Sequence, residues 1–403
     1  MVKPVDSRLP AVFNPLRTNK TIVVALAVAA IGFLLIRVIK SLVGRTKHLT
    51  AKKVKIFIEQ AKAHRNDNKP DAALADFERA LNCNPAPDLL LQIYFYRGSV
   101  FAEQKGSYEA AIADFDKALK LSSSDQDFDV KIFIERARAH SSLGHYKQSL
   151  ADLNAAYALN SQNPILRAKI LAFRVQLKIY LKQLETILND LDKALDCPDP
   201  GMRSFIYELR GDYYLETKDD ARALHDYNQA IDCKPSDEET FARVVYKRGS
   251  AHENLQHRDD ALEDFTKAIQ SNFSNDSLRA QILNRRAMAY SEREEYKQAV
   301  DDLTRAINLP SEKTQLASRY LRASAYLNWN RFSESIQDFT FVLGLCPNDK
   351  KLQAEILYLR GNAYRANHQK DLARADFEKA LSHNSTEEGL RKKLVDELAQ
   401  LKS

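Results

Sequence analysis

Hydrophobic and polar positions repeat along almost the whole chain with one long period. A nine-residue pattern, which reads ARADFEKAL at residues 373–381, recurs with an aspartate at its centre every 38 or 36 residues. Within each copy, apolar or small residues stand at positions i, i+4, i+7 and i+8, which form one stripe of an α-helix. A fixed period of this length indicates a repeat array. The central aspartates are Asp76, Asp114, Asp152, Asp190, Asp226, Asp264, Asp302, Asp338 and Asp376.

A second helical stripe lies upstream of each copy. In the last unit it is formed by Ile356, Leu357, Gly361 and Tyr364. Two helices of about 12 to 15 residues and a short polar turn fill each period, and no segment alternates with period two over strand length. A single helix pair cannot cover its apolar faces, so each pair must stack on the next. The sequence therefore predicts an all-α solenoid of about nine helix pairs.

The motifs in these helices resemble those of the tetratricopeptide repeat (TPR) family. The first helix carries small-x-x-aromatic, as in Gly361-Asn362-Ala363-Tyr364, and the second carries Ala-x-x-x-Phe-x-x-Ala, as in Ala373, Phe377 and Ala380. The resemblance covers residues 54–387. It implies a right-handed superhelix whose first helices line a concave groove for protein or peptide ligands.

An apolar run precedes the repeats. Thr21 to Ile36 is uncharged, and apolar residues extend the run to residue 43. Its basic flanks favour a short transmembrane helix over residues 21–43, since flanking basic side chains can reach the headgroups. A buried helix of the array and a cleaved signal are the alternatives. Residues 1–20 hold three prolines and are predicted to be a disordered basic tail.

The basic residues also predict an orientation. They are more numerous on the carboxyl side of the run, so that side should stay in the cytosol. Residues 44–53 then form a basic juxtamembrane linker, which holds the repeats close to the membrane. Residues 388–403 carry leucines on one helical stripe and are predicted to form a capping helix, with a partner-binding helix as the alternative.

Charge is concentrated at the amino terminus. Residues 1–55 carry a net charge of +10, whereas the whole chain carries +6, so the remaining residues sum to −4. The basic balance therefore does not indicate nucleic-acid binding by the repeats. The four cysteines follow second helices of different repeats, too far apart for disulfides, and are predicted to be small buried residues in a reducing compartment. They are Cys83, Cys197, Cys233 and Cys346.

The repeated aspartate is accompanied by a repeated arginine in the first helix. A carboxylate and a guanidinium that recur together indicate an ion pair within each repeat rather than a row of active sites. The first unit lacks the arginine and has Gln60 at that position. The arginines are Arg97, Arg136, Arg174, Arg210, Arg248, Arg286, Arg322 and Arg360.

Other catalytic or metal motifs are absent from the sequence. His252-Glu253 and His257 superficially resemble a zinc motif, but a five-residue spacing places the two histidines about 140° apart on one helix. There is no Gly-rich phosphate loop, no nucleophile elbow and no Cys/His cluster. We therefore predict neither an enzyme nor a metal site, cofactor or small-molecule substrate.

The TPR resemblance implies that the groove is lined by first-helix residues on either side of the small residue. Mapped by position, these give a basic entrance and an amide-and-aromatic far half, which would suit an extended peptide. Lys55, Lys169, Glu208 and Glu253 map to the same face. The groove residues predicted to bind a partner are Lys62, Arg65, Lys131, Arg138, Asp212, Tyr246, Asn284, Tyr320, Asn328, Tyr358, Asn362 and Arg365.

A basic-flanked anchor followed by cytosolic repeats resembles the large TPR import receptors of the mitochondrial outer membrane, which bind precursor proteins and chaperone tails. The resemblance implies a membrane-anchored receptor or adaptor. Of the carboxylate clamp for chaperone tails only Gly361-Asn362 matches, and Tyr358 replaces its lysine. The alternatives are an endoplasmic reticulum co-chaperone without a J domain, for which sequons at Asn272, Asn275 and Asn384 provide a test, and an organelle-tethering scaffold.

Overall fold

A computed structural model describes residues 15–121, 123, 125–310, 312–346, 349–383 and 387–401. Side chains are described from residue 33 onward within these ranges, apart from 42, 43, 45–47, 312 and 313. In this part of the chain all regular structure is helical, with nineteen α-helices, one 3-10 turn and no strand. The prediction of an all-α fold of paired helices is confirmed.

The chain divides into two compact units, residues 1–161 and residues 162–403. Unit 1 contains three helix pairs: α1 (Pro15–Asn66) with α2 (Pro70–Leu81), α3 (Pro87–Glu103) with α4 (Tyr108–Leu121), and α5 (Gln126–Ser142) with α6 (Tyr146–Ala158). In each pair the longer first helix packs against its own second helix, and inside the unit α2 packs against α3 and α4 against α5.

Unit 2 contains six further pairs and a last single helix. Its first pair includes a 3-10 turn, Leu184–Thr186, before the second helix. The pairs are α7 (Pro164–Tyr180) with α8 (Ile187–Ala194), α9 (Pro200–Glu216) with α10 (Asp220–Asp232), α11 (Glu238–Asn254) with α12 (Arg258–Gln270), α13 (Asp276–Glu292) with α14 (Tyr296–Ile307), α15 (Glu312–Asn328) with α16 (Phe332–Leu345), and α17 (Lys350–Ala366) with α18 (Lys370–Leu381), followed by α19 (Glu388–Gln400).

The first helix is continuous from Pro15 to Asn66. Residues 44–53, which were expected to be a linker, lie inside it, and residues 15–20 are helical rather than disordered, whereas residues 1–14 lie outside the described residues. The predicted anchor falls largely on residues 21–32 and 42–43, whose side chains also lie outside the described residues. Among the residues that the structure describes, no helix has the length and apolarity needed to cross a membrane.

In four repeats a glycine of the first helix faces an aromatic ring of the second helix, and a Cβ added at Gly361 would lie 2.3 Å from the Phe377 ring. In another repeat Ala287 packs in the same apolar cluster as Leu303. Volume on one helix is therefore matched by space on the other, which lets the two backbones approach closely.

The turn inside each pair has a left-handed residue at one fixed position. Its φ is +64° at Gln256 and +61° at Glu294, and the two glycines used there are Gly106 and Gly144. The position lies eight residues before each repeated aspartate, so the turn follows the same period as the helices. The other left-handed turn residues are Asn68, Lys182, Lys218, Asn330 and His368.

The last helix covers the open end of unit 2. Leu394 and Leu401 of this region are buried against Ala373, Phe377 and neighbouring residues of the last pair. Leu390 and Leu398 pack at the edge of the same cluster. The leucine stripe therefore closes the apolar end that an open stack would expose.

The four cysteines are all free thiols. Cys197 and Cys346 are buried, as predicted, whereas Cys83 and Cys233 are half-buried. The prediction of burial is therefore wrong for Cys83 and Cys233, whose side chains the neighbouring residues cover only in part.

Candidate functional site

A cleft of about 830 Å³ opens on the first-helix face of unit 2. Its walls come from the last turns of α7 and α9, from the middle of α11 and from α13, and no second α-helix contributes to it. The lining residues are Ile179, Lys182, Leu184, Asp212, Tyr213, Leu215, Glu216, Thr217, Tyr246, Lys247, Ser250 and Arg285.

The cleft combines apolar walls with charged rims. Tyr213, Leu215 and Tyr246 are half-buried, and Leu184 is 40% exposed. Lys182 and Glu216 are exposed at the rim. A site with large apolar side chains and a few convergent charges is the usual form of a ligand-binding concavity.

An ion network holds one wall of the cleft in place. Glu208 of α9 is 3% exposed, and it accepts hydrogen bonds from Arg243 Nε at 2.7 Å and from Lys247 Nζ at 2.7 Å. Lys247 also donates to Asp212 Oδ2 at 2.6 Å, and Tyr227 Oη donates to Asp212 Oδ1 at 2.8 Å. The first helices of two adjacent repeats are thereby joined beside the cleft.

Burial and charge act against each other at Glu208. Burial tends to raise its pKa, but the hydrogen bonds and charges of Arg243 and Lys247 prevail and hold the pKa below its usual value. At Tyr227 burial and the nearby Asp212 both raise the pKa. Glu208 is therefore ionised and Tyr227 is protonated at neutral pH, so the network keeps its hydrogen bonds.

Two of the predicted groove residues, Asp212 and Tyr246, meet in this cleft. The Asp212 carboxylate already accepts hydrogen bonds from Lys247 and Tyr227, so only part of it is open to a ligand. The Tyr246 ring centroid lies 5.9 Å from that of Phe265, so one face of the ring packs on the repeat core while the ring also lines the cleft.

Other predicted groove residues of unit 2 have structural partners. Asn284 is only 9% exposed and accepts a hydrogen bond from Ser318 Oγ at 2.8 Å. Arg365 bonds to Glu397 and Gln400 of the last helix. Tyr320 and Tyr358 pack near Phe339 and Phe377 with ring centroids 6.0 and 6.2 Å apart, and Asn328 is exposed.

Asn362 differs from these residues because its carbonyl oxygen is shielded without being paired. Within the described residues, no hydrogen-bond donor reaches Asn362 Oδ1. A shielded acceptor without a donor is costly to the fold.

The predicted basic entrance belongs to unit 1 and is partly neutralised. Lys62 bonds to Glu59 at 3.0 Å and lies 4.4 Å from the centre of the Tyr96 ring. Arg65 donates to Glu103 at 2.7 Å. Lys131 and Arg138 are exposed, so only part of the predicted positive charge is open to a ligand.

Comparison with known proteins agrees with this arrangement. A family model described as tetratricopeptide repeat matches residues 58–126 and 246–313, and a second model of the same description matches residues 354–387. The chain contains tetratricopeptide repeats. No curated protein matches the chain.

Solved structures of other TPR proteins share the fold. One is a signal transduction ATPase with numerous domains and a tetratricopeptide repeat sensor from Pyrococcus horikoshii, with a TM-score of 0.67 and 12% identity over 87% of this chain and 55% of that chain. Another is the C-terminal part of a TPR repeat-containing protein from Cytophaga hutchinsonii, with a TM-score of 0.50 and 16% identity over 66% of this chain and 99% of that chain. At these identities the likeness concerns the fold alone.

The repeated arginine of this TPR protein pairs with the repeated aspartate of its own repeat in all eight units predicted. Arg97, for example, donates through Nε and Nη2 to the Asp114 carboxylate at 2.6 and 2.8 Å. The structural interpretation of the two residues is confirmed. The eight pairs are Arg97–Asp114, Arg136–Asp152, Arg174–Asp190, Arg210–Asp226, Arg248–Asp264, Arg286–Asp302, Arg322–Asp338 and Arg360–Asp376.

The same guanidinium also reaches the preceding repeat, which the sequence analysis did not foresee. Arg136 Nη1 donates to Asp116 at 2.6 Å, and Arg248 Nη1 donates to Asn228 at 2.8 Å. Each acceptor stands two positions after the repeated aspartate of its own repeat. In the first repeat, where the arginine is absent, His64 Nδ1 lies 3.0 Å from Asp76 Oδ2 instead.

The two histidines do not lie on one helix, so the angular argument from the sequence is wrong. Helix α11 ends at Asn254, and His257 is the residue that precedes α12. The left-handed Gln256 reverses the chain between them. As a result His252 Nδ1 and His257 Nδ1 are 3.4 Å apart.

Several cleft residues were missed by sequence reasoning. The prediction took Asp212 from the end of α9 but omitted Tyr213, Leu215 and Glu216, which lie two, four and five positions after Gly211 and also line the cleft. Leu184 was missed because it belongs to the turn of its repeat. A signal was present, since Tyr213-Tyr214-Leu215 places three large residues together at the end of a first helix.

Proposed function

We propose that this TPR protein is a non-enzymatic adaptor that binds an extended peptide segment of a partner protein in the cleft of unit 2. The observation that carries the proposal is that the first helices of four successive repeats converge on one concavity of about 830 Å³. A single side chain of a peptide would not fill this volume, whereas a short segment with a large apolar residue would.

The chemistry of the cleft defines the segment. Tyr213, Leu215 and Tyr246 would contact an apolar or aromatic side chain, and burial of such a side chain supplies most of the favourable free energy. Lys182, Arg285 and Glu216, which all line the cleft, suit a segment with charges of both signs. The ligand would therefore be an amphipathic rather than a purely acidic segment.

The experiment is a peptide array of twelve-residue segments probed with the full chain, followed by affinity measurements on the peptides that bind. Tyr213→Ser should weaken their binding by at least about tenfold, since loss of an aromatic anchor commonly removes more than about 1.4 kcal/mol. Leu372→Ser is the matched control, because Leu372 is 49% exposed on a second helix outside the cleft. Equal binding by the Tyr213→Ser variant and the wild-type chain would contradict the proposal.

We further propose that the amino-terminal part of α1 attaches the protein to a membrane, with the repeats on the cytosolic side of the mitochondrial outer membrane. Phe33, Leu34, Leu35 and Ile36 are 54–70% exposed and, as consecutive helical residues, point to all sides. A helix that is apolar all round favours a lipid environment. In that location the adaptor would act as a receptor for precursor proteins or for chaperones that carry them.

The membrane proposal is tested by imaging the tagged protein with and without residues 1–45 and by carbonate extraction of the organelle. Loss of the mitochondrial signal only in the truncated protein supports it. Release of the full chain by carbonate contradicts membrane insertion.

The endoplasmic reticulum lumen is the second candidate location. It is favoured by the sequons at Asn272 and Asn275, which are exposed, whereas Asn384 lies outside the described residues. A mass decrease on glycosidase treatment would place the repeats in the lumen and replace the import-receptor proposal with that of a co-chaperone.

A further inference from the structure

Two histidines and an aspartate meet at the turn between α11 and α12. His252 lies in the last turn of α11, His257 precedes α12, and Asp260 lies in the first turn of α12. One ligand atom of each residue lies within 4.8 Å of the other two. His252 Nδ1 is 3.4 Å from His257 Nδ1 and 3.9 Å from Asp260 Oδ2.

These separations fit a coordination sphere. Two ligands that each lie about 2.0–2.1 Å from a tetrahedral ion are about 3.3 Å apart. The two imidazole nitrogens already have this spacing, and Asp260, whose side chain is 62% exposed, is free to move inward by a change of rotamer.

We propose that His252, His257 and Asp260 bind one divalent transition-metal ion of the zinc type. Imidazole and carboxylate donors together suit zinc and its neighbours in the first transition series. Three protein ligands leave one coordination position open, so water or a side chain of a partner would complete the sphere.

A further carboxylate lies behind the site. His252 Nε2 is 4.0 Å from Asp264 Oδ2, on the other side of the imidazole ring from Nδ1. Asp264 is itself held by Arg248. A carboxylate that faces the second nitrogen of a ligating histidine fixes the ring and raises its basicity as a ligand.

The chain contains a related pair that lacks the acid. His140 and His145 occupy the corresponding turn of unit 1, and their ring centroids are 5.9 Å apart, against 5.6 Å for His252 and His257. The residue that corresponds to Asp260 is Gln148, and a neutral amide is a weaker ligand than a carboxylate. The His140 and His145 pair is therefore a control for ordinary binding of metal by nearby histidines.

The test is isothermal titration of zinc chloride into the full, untagged chain in a buffer that does not bind metal. We expect one ion per chain. His257→Gln should lower the affinity at least as much as loss of an outer-shell partner does, about 10–100-fold, and Asp260→Asn should lower it by a similar factor. His145→Gln should leave the affinity of this site unchanged.

Two results would overturn the inference. One is the absence of saturable zinc binding by the wild-type chain, which would mean that the short nitrogen–nitrogen distance is only a hydrogen bond between the two rings. The other is an equal loss of affinity in His257→Gln and His145→Gln. Circular dichroism of each variant verifies that the helices are retained. The inference does not depend on peptide binding in the cleft.

Discussion

Arg286 and Asp302 form a two-pronged hydrogen-bonded ion pair between the two helices of one repeat. Arg286 Nε donates to Asp302 Oδ2 at 2.7 Å and Nη2 donates to Oδ1 at 2.8 Å. The residues are 8% and 4% exposed, so water screens the pair poorly. Burial acts to lower the pKa of Arg286, but the hydrogen bond and the charge of Asp302 prevail and raise it. The Arg286 guanidinium therefore stays charged at neutral pH.

Removing one partner of this pair should destabilise the fold strongly. We expect Asp302→Asn to lower the free energy of unfolding by about 3–5 kcal/mol, because the guanidinium would remain buried without a counter-charge. The double variant Arg286→Met with Asp302→Leu should be more stable than Asp302→Asn, since an apolar pair carries no unpaired charge. Urea unfolding followed by circular dichroism measures both. A double variant less stable than the single one would contradict this explanation.

The close approach of some glycines to an aromatic ring predicts that glycine-to-alanine substitutions differ in their effect on stability. Gly361→Ala should destabilise the protein by about 1–3 kcal/mol, because the new methyl group would overlap the Phe377 ring. Gly344→Ala, also in a helix, should stabilise it by about 0.5–1 kcal/mol, since nothing lies within 4 Å of the added Cβ. Thermal unfolding of the two variants provides the comparison, and equal effects would show that the helix crossing is looser than described.

The left-handed turn position predicts a stabilising substitution. Glu294 has a φ of +61° and is exposed. Glu294→Gly should raise the free energy of unfolding by about 0.5–1 kcal/mol, because glycine adopts this conformation without strain. Glu294→Ala keeps the strain and serves as the control. A glycine variant no more stable than the alanine variant would contradict the interpretation of the turn.

The ion network beside the cleft predicts that the free energy of unfolding depends on pH. The pKa of Glu208 is held below its ordinary value of 4.5. The ionised Glu208 therefore contributes fully to the free energy of unfolding above pH 4.5. This contribution is lost as the pH falls through the lower pKa that Glu208 has in the folded state. We expect Glu208→Gln to be less stable than the wild type at pH 7 and to lose less stability between about pH 5 and pH 3. Denaturant titrations at both pH values test this, and parallel losses in the two proteins would exclude the effect.

The sequence predicts the structural features that recur in every repeat. It does not predict the features that only one repeat has. Arg286 and Asp302 were paired correctly because their spacing recurs, so one argument covered every unit. The proximity of His252 and His257 was missed because it depends on the left-handed Gln256, and a helical projection contains no such reversal. Asn284 was expected to face a ligand, but Ser318 of the next repeat covers it. The cleft likewise depends on residues that periodicity does not constrain.

Hydrogen–deuterium exchange with a peptide selected on the array tests the central claim, that the first-helix face of unit 2 binds an extended segment. The full chain is measured with and without the peptide. We predict slower exchange at residues 212–217 and 246–250, which form the walls of the cleft, and unchanged exchange in the second helix α18. Protection confined to second helices, or no protection when the peptide is saturating, would contradict the account.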